Sequence, residues 1–112
     1  MKALLVALKA LAALLVLAAG GARAADEYRI GYLNSFTGYL ANMGTVSRDG
    51  FLLAVDEINK RGGVNGRLVK VIVENDDSDP SRGVPAAIRL INAEKVLAIV
   101  GPARSDVTEP LG

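Results

Sequence analysis

The chain has 112 residues, with 13 basic and 12 acidic side chains, and it contains neither cysteine nor histidine. Its length allows one small domain. The missing residue types exclude disulfides, zinc clusters, thiol nucleophiles and imidazole bases, so a Ser-His-Asp enzyme cannot be assembled from this chain.

The first 24 residues have the layout of a secretory signal peptide. Lys2 opens the chain, residues 10–19 are all Ala, Leu or Val, and small residues lie around Ala24. These are the charged region, the apolar region and the A-x-A site of a cleavable export signal, and we predict cleavage after Ala24. Because Lys9 divides the apolar stretch, neither piece reaches the roughly 20 residues that a membrane span requires.

Removal of residues 1–24 changes the charge of the chain. It takes away Lys2, Lys9 and Arg23 but no acid, and leaves 10 basic and 12 acidic residues. No basic surface remains to neutralise phosphates, so nucleic acid is not expected as a partner.

From Tyr28 onward, short apolar runs alternate with longer amphipathic segments, which is the pattern of a parallel sheet with crossover helices. We predict strands at about residues 28–33, 68–73 and 96–100, each bordered by Gly, Asn, Asp or Pro. The fold class is therefore α/β, a Rossmann-like doubly wound parallel sheet. It would be an incomplete lobe, since the third strand lacks an outer neighbour.

The first crossover helix is predicted at residues 45–60. Gly62 and Gly63 would end it, and Asn65-Gly66 would turn the chain into the second strand. Five positions at helical spacing are expected to face the sheet, with the glycine allowing a close approach. They are Val46, Gly50, Leu53, Ala54 and Ile58.

The second helix is predicted to start with Asp79 as its N-cap and Pro80 at the first helical position. Pro85 would either kink this helix or mark where its regular part begins. A third helix would start at Ser105 or Asp106. The buried positions of the second helix are expected to be Val84, Ala87, Ile88 and Ile91.

In an open parallel sheet, ligands bind at the carboxyl ends of the strands, where the strand order reverses. The loops to consider are residues 34–44 after the first strand and residues 101–105 after the third. The second of these loops ends at a helix start, which favours an anion by about 0.3 to 1 kcal/mol. Ser105 could add its hydroxyl to such an anion, or it could simply cap its own helix.

Three neighbouring acids, Asp76, Asp77 and Asp79, do not form a calcium loop. An EF-hand register places Arg82 where glycine is needed and Ile88 where glutamate is needed. Helix capping and turn formation explain these acids better, and no metal is predicted. The chain also lacks a dinucleotide-binding or P-loop glycine pattern, so no cofactor is predicted.

Seven short motifs follow one another along the chain. They are Ile30-Gly31, Thr37-Gly38, Ala54-Val55-Asp56-Glu57-Ile58-Asn59, Gly62-Gly63-Val64-Asn65-Gly66-Arg67, Asp76-Asp77, Asp79-Pro80 and Gly101-Pro102. In this order they resemble the periplasmic leucine/isoleucine/valine-binding proteins. The resemblance implies two Rossmann-like lobes joined by a hinge, which deliver a solute to the membrane permease of an ABC importer. Residues 25–112 would then form about the first half of the first lobe.

The resemblance also implies a ligand site. The loop and helix start after the third strand would hold the α-carboxylate of the ligand. Met43 falls where family members often place an aromatic side chain against the ligand, and Tyr39 stands where a proline is common. Ser78 and Arg104 occupy positions at which some members carry a disulfide. The implied carboxylate-binding residues are Ala103, Arg104 and Ser105.

The leading hypothesis is a periplasmic solute-binding component of an ABC importer for branched-chain amino acids or a related small carboxylate or amide. It would work by closure of two lobes, with no catalytic residue. The alternatives are a ligand-sensing receptor or regulatory domain on the same fold, and a secreted α/β hydrolase that would need a nucleophile and a histidine after Gly112. An isolated 88-residue segment is expected to fold weakly or not at all.

Overall fold

The computed structural model describes residues 1–4 and 27–112, so the predicted signal peptide lies almost entirely outside the described residues. In these two ranges, no helix is long and apolar enough to cross a membrane. The elements are β1 (Tyr28–Asn34), α1 (Ala41–Lys60), β2 (Val69–Asn75), α2 (Pro80–Asn92), β3 (Ala98–Val100) and α3 (Ser105–Thr108), followed by a 3₁₀ turn (Glu109–Leu111).

The three strands form one parallel sheet in the order β2-β1-β3. In the centre, Ile30 of β1 pairs with Val71 on one side and with Ala98 on the other. The predicted strands are confirmed, although β2 begins one residue late and β3 is shorter than expected. The chain places β2 on one side of β1 and β3 on the other, so a switch point lies at the carboxyl ends of β1 and β3.

The two long helices pack on opposite faces of the sheet, because the side chains of β1 alternate between them. Tyr32 contacts α1, whereas Gly31 and Leu33 face α2. A Cβ atom added at Gly31 would lie only 2.9 Å from Leu90 Cδ1, so α2 packs closely against β1 at this position. The fully buried core on that face consists of Leu33, Ala86, Ala87, Leu90 and Val107.

The sheet-facing side of α1 differs from the prediction. Val46 is 67% exposed and Leu53 60% exposed, and a Cβ added at Gly50 would meet no atom within 4 Å. The helix also begins at Ala41, four residues earlier than expected. Of the remaining two predicted positions, Ala54 is exposed and Ile58 is half-buried. Apolar residues occur on both sides of α1, so helical periodicity alone placed four of the five positions wrongly.

The ring of Tyr32 determines which side of α1 meets the sheet. The Phe51 ring stacks on the Tyr32 ring with their centroids 4.7 Å apart. The Tyr32 hydroxyl lies 2.8 Å from Ser47 Oγ. Nearer the start of the helix, Gly44 packs so closely on the end of β1 that a Cβ would collide with the carbonyl oxygen of Ser35. The glycine that permits a close approach is therefore Gly44 and not Gly50.

The end of α1 follows the prediction. Gly62 and Gly63 have φ values of 97° and 80°, and their amides donate to carbonyl groups of the last helical turn. Asn65 and Gly66 also have positive φ values, 51° and 77°, and form the tight turn before β2.

The start of α2 is also as predicted. The Asp79 carboxylate accepts a hydrogen bond from the Ser81 amide at 2.8 Å, and Pro80 is the first helical residue. Hydrogen bonds from Ser81 lower the pKa of Asp79. The alternative that regular helix begins only near Pro85 is wrong, because the helix is continuous from Pro80 and contains Pro85.

The buried side of α2 is rotated from the expected one. Of the predicted positions only Ala87 is buried, while Val84 is half-buried and Ile88 and Ile91 are exposed. Three of the four buried residues are small, because α2 approaches both β1 and α3 closely. The buried residues are Gly83, Ala86, Ala87 and Leu90.

Candidate functional site

Three loops meet at the carboxyl edge of the sheet, and they follow β1, β2 and β3. The sequence predicted the first and the third. The second, at residues 76–79, contacts both of them. The candidate site is therefore built from three consecutive strand ends instead of two.

Ser78 joins the second loop to the first. Its hydroxyl donates to the Thr37 carbonyl oxygen at 2.7 Å and accepts from the Leu40 amide at 3.2 Å. Asp77 and Ser78 have φ values of 53° and 58°, so the chain turns sharply here. This turn directs the Ser78 hydroxyl into the loop after β1.

A buried acid lies beneath the same turn. Asp76 Oδ1 accepts hydrogen bonds from Ser35 Oγ at 2.5 Å and from the Ser78 amide at 2.9 Å. Both Asp76 and Ser35 are fully buried, and in the described part of the chain Asp76 Oδ2 has no hydrogen-bond partner. The carboxylate thus fixes the loop after β1 and the loop after β2 from below.

The outer side of the two loops is held by a polar network around Asn75. Its Oδ1 accepts from the Phe36 amide at 2.8 Å and from the Asp77 amide at 2.9 Å. The Asp77 carboxylate also accepts from Thr37 and Arg82, and these bonds, with Thr37 the larger cause, lower the pKa of Asp77. Asp77 and Asp79 are thus turn and cap residues, as the sequence suggested.

Arg104 joins the third loop to the other two. Its guanidinium donates to the Ser78 carbonyl oxygen at 3.0 Å and to the Tyr39 hydroxyl. The Cζ atom of the guanidinium lies 5.4 Å from the centre of the Tyr39 ring. The guanidinium also binds the Asp106 carboxylate, which raises the pKa of Arg104 and lowers that of Asp106. The Arg104 side chain is only 12% exposed.

The other predicted site residues lie near this arginine. Ser105 is exposed and is the first residue of α3. The N-cap of α3 is Arg104, with no side-chain cap, so the alternative that Ser105 caps its own helix is wrong. Ala103 is exposed in the preceding loop. Met43, 52% exposed, lies in the first turn of α1, four residues after the Tyr39 that Arg104 contacts.

Sequence reasoning did not identify the contacts of Asp76 and Tyr39 as parts of this site. For Ser78, the family resemblance had placed it with Arg104 at positions that carry a disulfide in some members, and the structure brings these two residues into contact. One signal was available for Asp76. All strands of a parallel sheet end at the same edge, so the loop after β2 had to lie beside the other two. Tyr39 gave no such signal, because its partner Arg104 is 65 residues away.

A family model described as periplasmic binding protein matches residues 27–112, a range that includes all three strands and all three loops. The chain belongs to the periplasmic binding protein family. The resemblance inferred from the seven motifs is thereby confirmed, and so is the α/β fold class. The family is one of binding proteins, which agrees with the prediction that the chain is not an enzyme.

Curated relatives of this periplasmic binding protein have related names. The leucine-, isoleucine-, valine-, threonine-, and alanine-binding protein of Pseudomonas aeruginosa is 37% identical over 87 residues, which are 78% of this chain and 23% of the relative. Leu/Ile/Val-binding protein homolog 7 of Brucella suis is 42% identical over 85 residues, which are 76% of this chain and 21% of the relative. The chain thus spans about a fifth to a quarter of these relatives.

Solved structures of binding proteins share its fold. The branched-chain amino acid transporter substrate binding protein LivJ from Streptococcus pneumoniae, in complex with isoleucine, matches with a TM-score of 0.71 and 36% identity, over 73% of this chain and 24% of LivJ. A solute binding protein of an ABC transporter from R. palustris, in complex with benzoate, matches with a TM-score of 0.65 and 25% identity, over 74% and 22%.

Proposed function

We propose that the full-length protein is the periplasmic substrate-binding component of an ABC importer and binds a branched-chain amino acid or a related small carboxylate or amide. Residues 1–24 would direct export and be removed after Ala24, and residues 25–112 would form part of the first lobe. The ligand would be enclosed by closure of two lobes and passed to a membrane permease. The observation that carries this proposal is the joining of three loops at the switch point, on a fold shared with an isoleucine complex.

The proposed carboxylate site lies at the loop after β3. Ser105 is exposed and does not cap α3, so its hydroxyl is available as a donor to a ligand. Ala103 and the main chain of Arg104 would contact the same carboxylate. Met43, at the start of α1, would contribute an apolar surface near the rest of the ligand.

A second candidate ligand is an aromatic carboxylate. One structural neighbour holds benzoate and another holds isoleucine. The two ligands share only a carboxylate attached to an apolar group. A hydroxyl of Ser105 that donates to the carboxylate is compatible with both, and the apolar part of the ligand would be selected by Met43 together with residues elsewhere in the protein.

The test is calorimetry on the full-length mature protein with isoleucine, leucine, valine, isoleucinamide and benzoate. We expect at least one of them to bind and to raise the thermal midpoint, because a ligand at 100 times its Kd stabilises the folded state by about 2.7 kcal/mol. Absence of binding by all five would contradict the importer proposal. Sequencing past Gly112 would distinguish the receptor alternative, which requires a membrane segment or a signalling domain.

A further inference from the structure

Arg104 belongs to the third loop of the site, and its guanidinium contacts the first loop at Tyr39 and the second at Ser78. We propose that Arg104 is a positioning residue, whose side chain clamps the loops after β1 and β2 to the loop after β3 and thereby fixes Ser105 in place. This inference rests on the proposed function, since it assigns Arg104 a role in ligand binding without direct contact through its side chain.

The donors of Arg104 are already used by protein acceptors. Nη1 donates to the Tyr39 hydroxyl and to the Ser78 carbonyl oxygen, while Nε and Nη2 donate to the two carboxylate oxygens of Asp106. A guanidinium has five N–H groups in a planar fork, so these contacts use four of them. Little hydrogen-bonding capacity is left for a ligand, and this favours positioning over direct contact.

The contacts of Arg104 complete a chain of links across the site. Ser78 binds the loop after β1 through Thr37 and Leu40, and Arg104 binds Ser78. Tyr39 provides a second, direct link between the first loop and the third. The three loops are therefore connected to one another by side chains as well as by the sheet.

The clamp acts on Ser105 because of its place in the sequence. Ser105 stands between Arg104 and Asp106, whose side chains form a bidentate ion pair. This ion pair connects the two residues on either side of Ser105 and thereby stabilises the start of α3. The orientation of Ser105 is thus coupled to Tyr39 and Ser78, which lie in other loops.

Tyr39 is the exposed partner in this arrangement. Its side chain is 76% exposed, and the described contacts that hold it are the hydrogen bond and the ring contact with Arg104. Lysine could not replace the arginine, because an ammonium group lacks the planar fork that reaches Asp106 and Tyr39 together.

The clamp is tested on the full-length protein with Arg104→Gln and a matched control, Arg67→Gln. Arg67 also lies over a tyrosine ring, that of Tyr28 at 4.1 Å, but at the opposite edge of the sheet. Amide hydrogen exchange of the ligand-free protein is measured for residues 36–40 and 76–79, and calorimetry measures the affinity for isoleucine and benzoate.

We expect Arg104→Gln to speed exchange in both loops and to weaken binding of the ligand that the unmodified protein takes by about tenfold. Arg67→Gln should change neither measurement. Tyr39→Phe, which removes only the hydroxyl acceptor, should give smaller changes in the same direction as Arg104→Gln.

Two results would overturn the proposal. Weaker binding with unchanged exchange in the two loops would make Arg104 a direct ligand contact, and faster exchange with unchanged affinity would remove its role in binding. If Arg104→Gln does not fold, Arg104→Lys and Tyr39→Phe replace it, and unchanged exchange in both variants would contradict the clamp. If the unmodified protein binds neither ligand, calorimetry uses leucine, valine and isoleucinamide in their place. If none of the five binds, the proposed function fails, while exchange in the free protein still decides whether the clamp exists.

Discussion

Ser35 Oγ donates a hydrogen bond of 2.5 Å to Asp76 Oδ1, and both side chains are completely buried. The two residues are 41 positions apart and follow neighbouring strands of the sheet. Their contact fixes the loop after β1 and the loop after β2 relative to each other, and these are two of the three loops that form the candidate site.

Removal of this hydrogen bond should destabilise the protein. In Ser35→Ala, the Asp76 carboxylate stays buried with one donor fewer, which costs about 1 to 3 kcal/mol. The fall in the thermal midpoint of the full-length protein measures this loss. The control is Ser47→Ala, which removes the hydroxyl of an exposed serine that forms a part-buried hydrogen bond with Tyr32. A drop for Ser35→Ala no larger than that for Ser47→Ala would contradict the prediction.

Two glycines of α1 should respond in opposite ways to alanine. Gly44→Ala places a Cβ against the Ser35 carbonyl oxygen, and we expect a loss of about 2 kcal/mol or more, since backbone has to move. Gly50→Ala adds a methyl group with no neighbour within 4 Å and should stabilise the helix by about 0.5 to 1 kcal/mol. Thermal midpoints of both variants measure the difference. Equal shifts would mean that the sheet-facing side of α1 is assigned wrongly.

The stability of the folded protein should depend on pH through the carboxyl group of Asp77. Hydrogen bonds from Thr37 and Arg82 lower the pKa of Asp77 in the folded state, so the stabilisation is fully present above the ordinary aspartate pKa of 3.8. It is lost as the pH falls below that value, because protonation breaks the charged contacts. The thermal midpoint between pH 6 and pH 3 should fall less steeply in Asp77→Asn than in the unmodified protein.

The control for this pH series is Asp56→Asn, which removes an exposed carboxylate in the C-terminal half of α1 that pairs with Lys60. We expect its pH profile to follow that of the unmodified protein. A profile of Asp77→Asn with unchanged steepness would show that the Thr37 and Arg82 contacts do not stabilise the charged form.

Ser105→Ala tests the proposed carboxylate site. Loss of one hydroxyl donor should weaken a carboxylate ligand by about 0.5 to 3 kcal/mol, measured by calorimetry on the full-length protein. Ser81→Ala, an exposed serine in the first turn of α2, is the matched control and should leave the affinity unchanged. Equal affinity in Ser105→Ala and the unmodified protein would remove Ser105 from the site.

Local features of the fold could be predicted from sequence. The cap at Asp79, the glycine end of α1 and the turn at Asn65-Gly66 each depend on a few adjacent residues. The strands could be placed because their apolar runs are short and bordered by turn residues.

The packed faces could not be predicted in the same way. Leu53 and Phe51 are both apolar, and only the ring of Tyr32 on the sheet selects Phe51. The same limit applies to the site. Arg104 meets Tyr39 across 65 residues, and no periodic pattern connects residues at such a separation. Its contact with Ser78 was indicated only by the family resemblance, in which these two positions can carry a disulfide.

The position of β1 has a consequence for how the chain folds. Within the described residues, β1 pairs with β2 and β3, and both come later in the sequence. The first strand to be synthesised therefore has no partner until residue 69 or later has emerged, and the sheet depends on contacts between distant residues, which form slowly. Until then, the residues before β2 have no pairing in the sheet, and the sheet is complete only after β3 has followed.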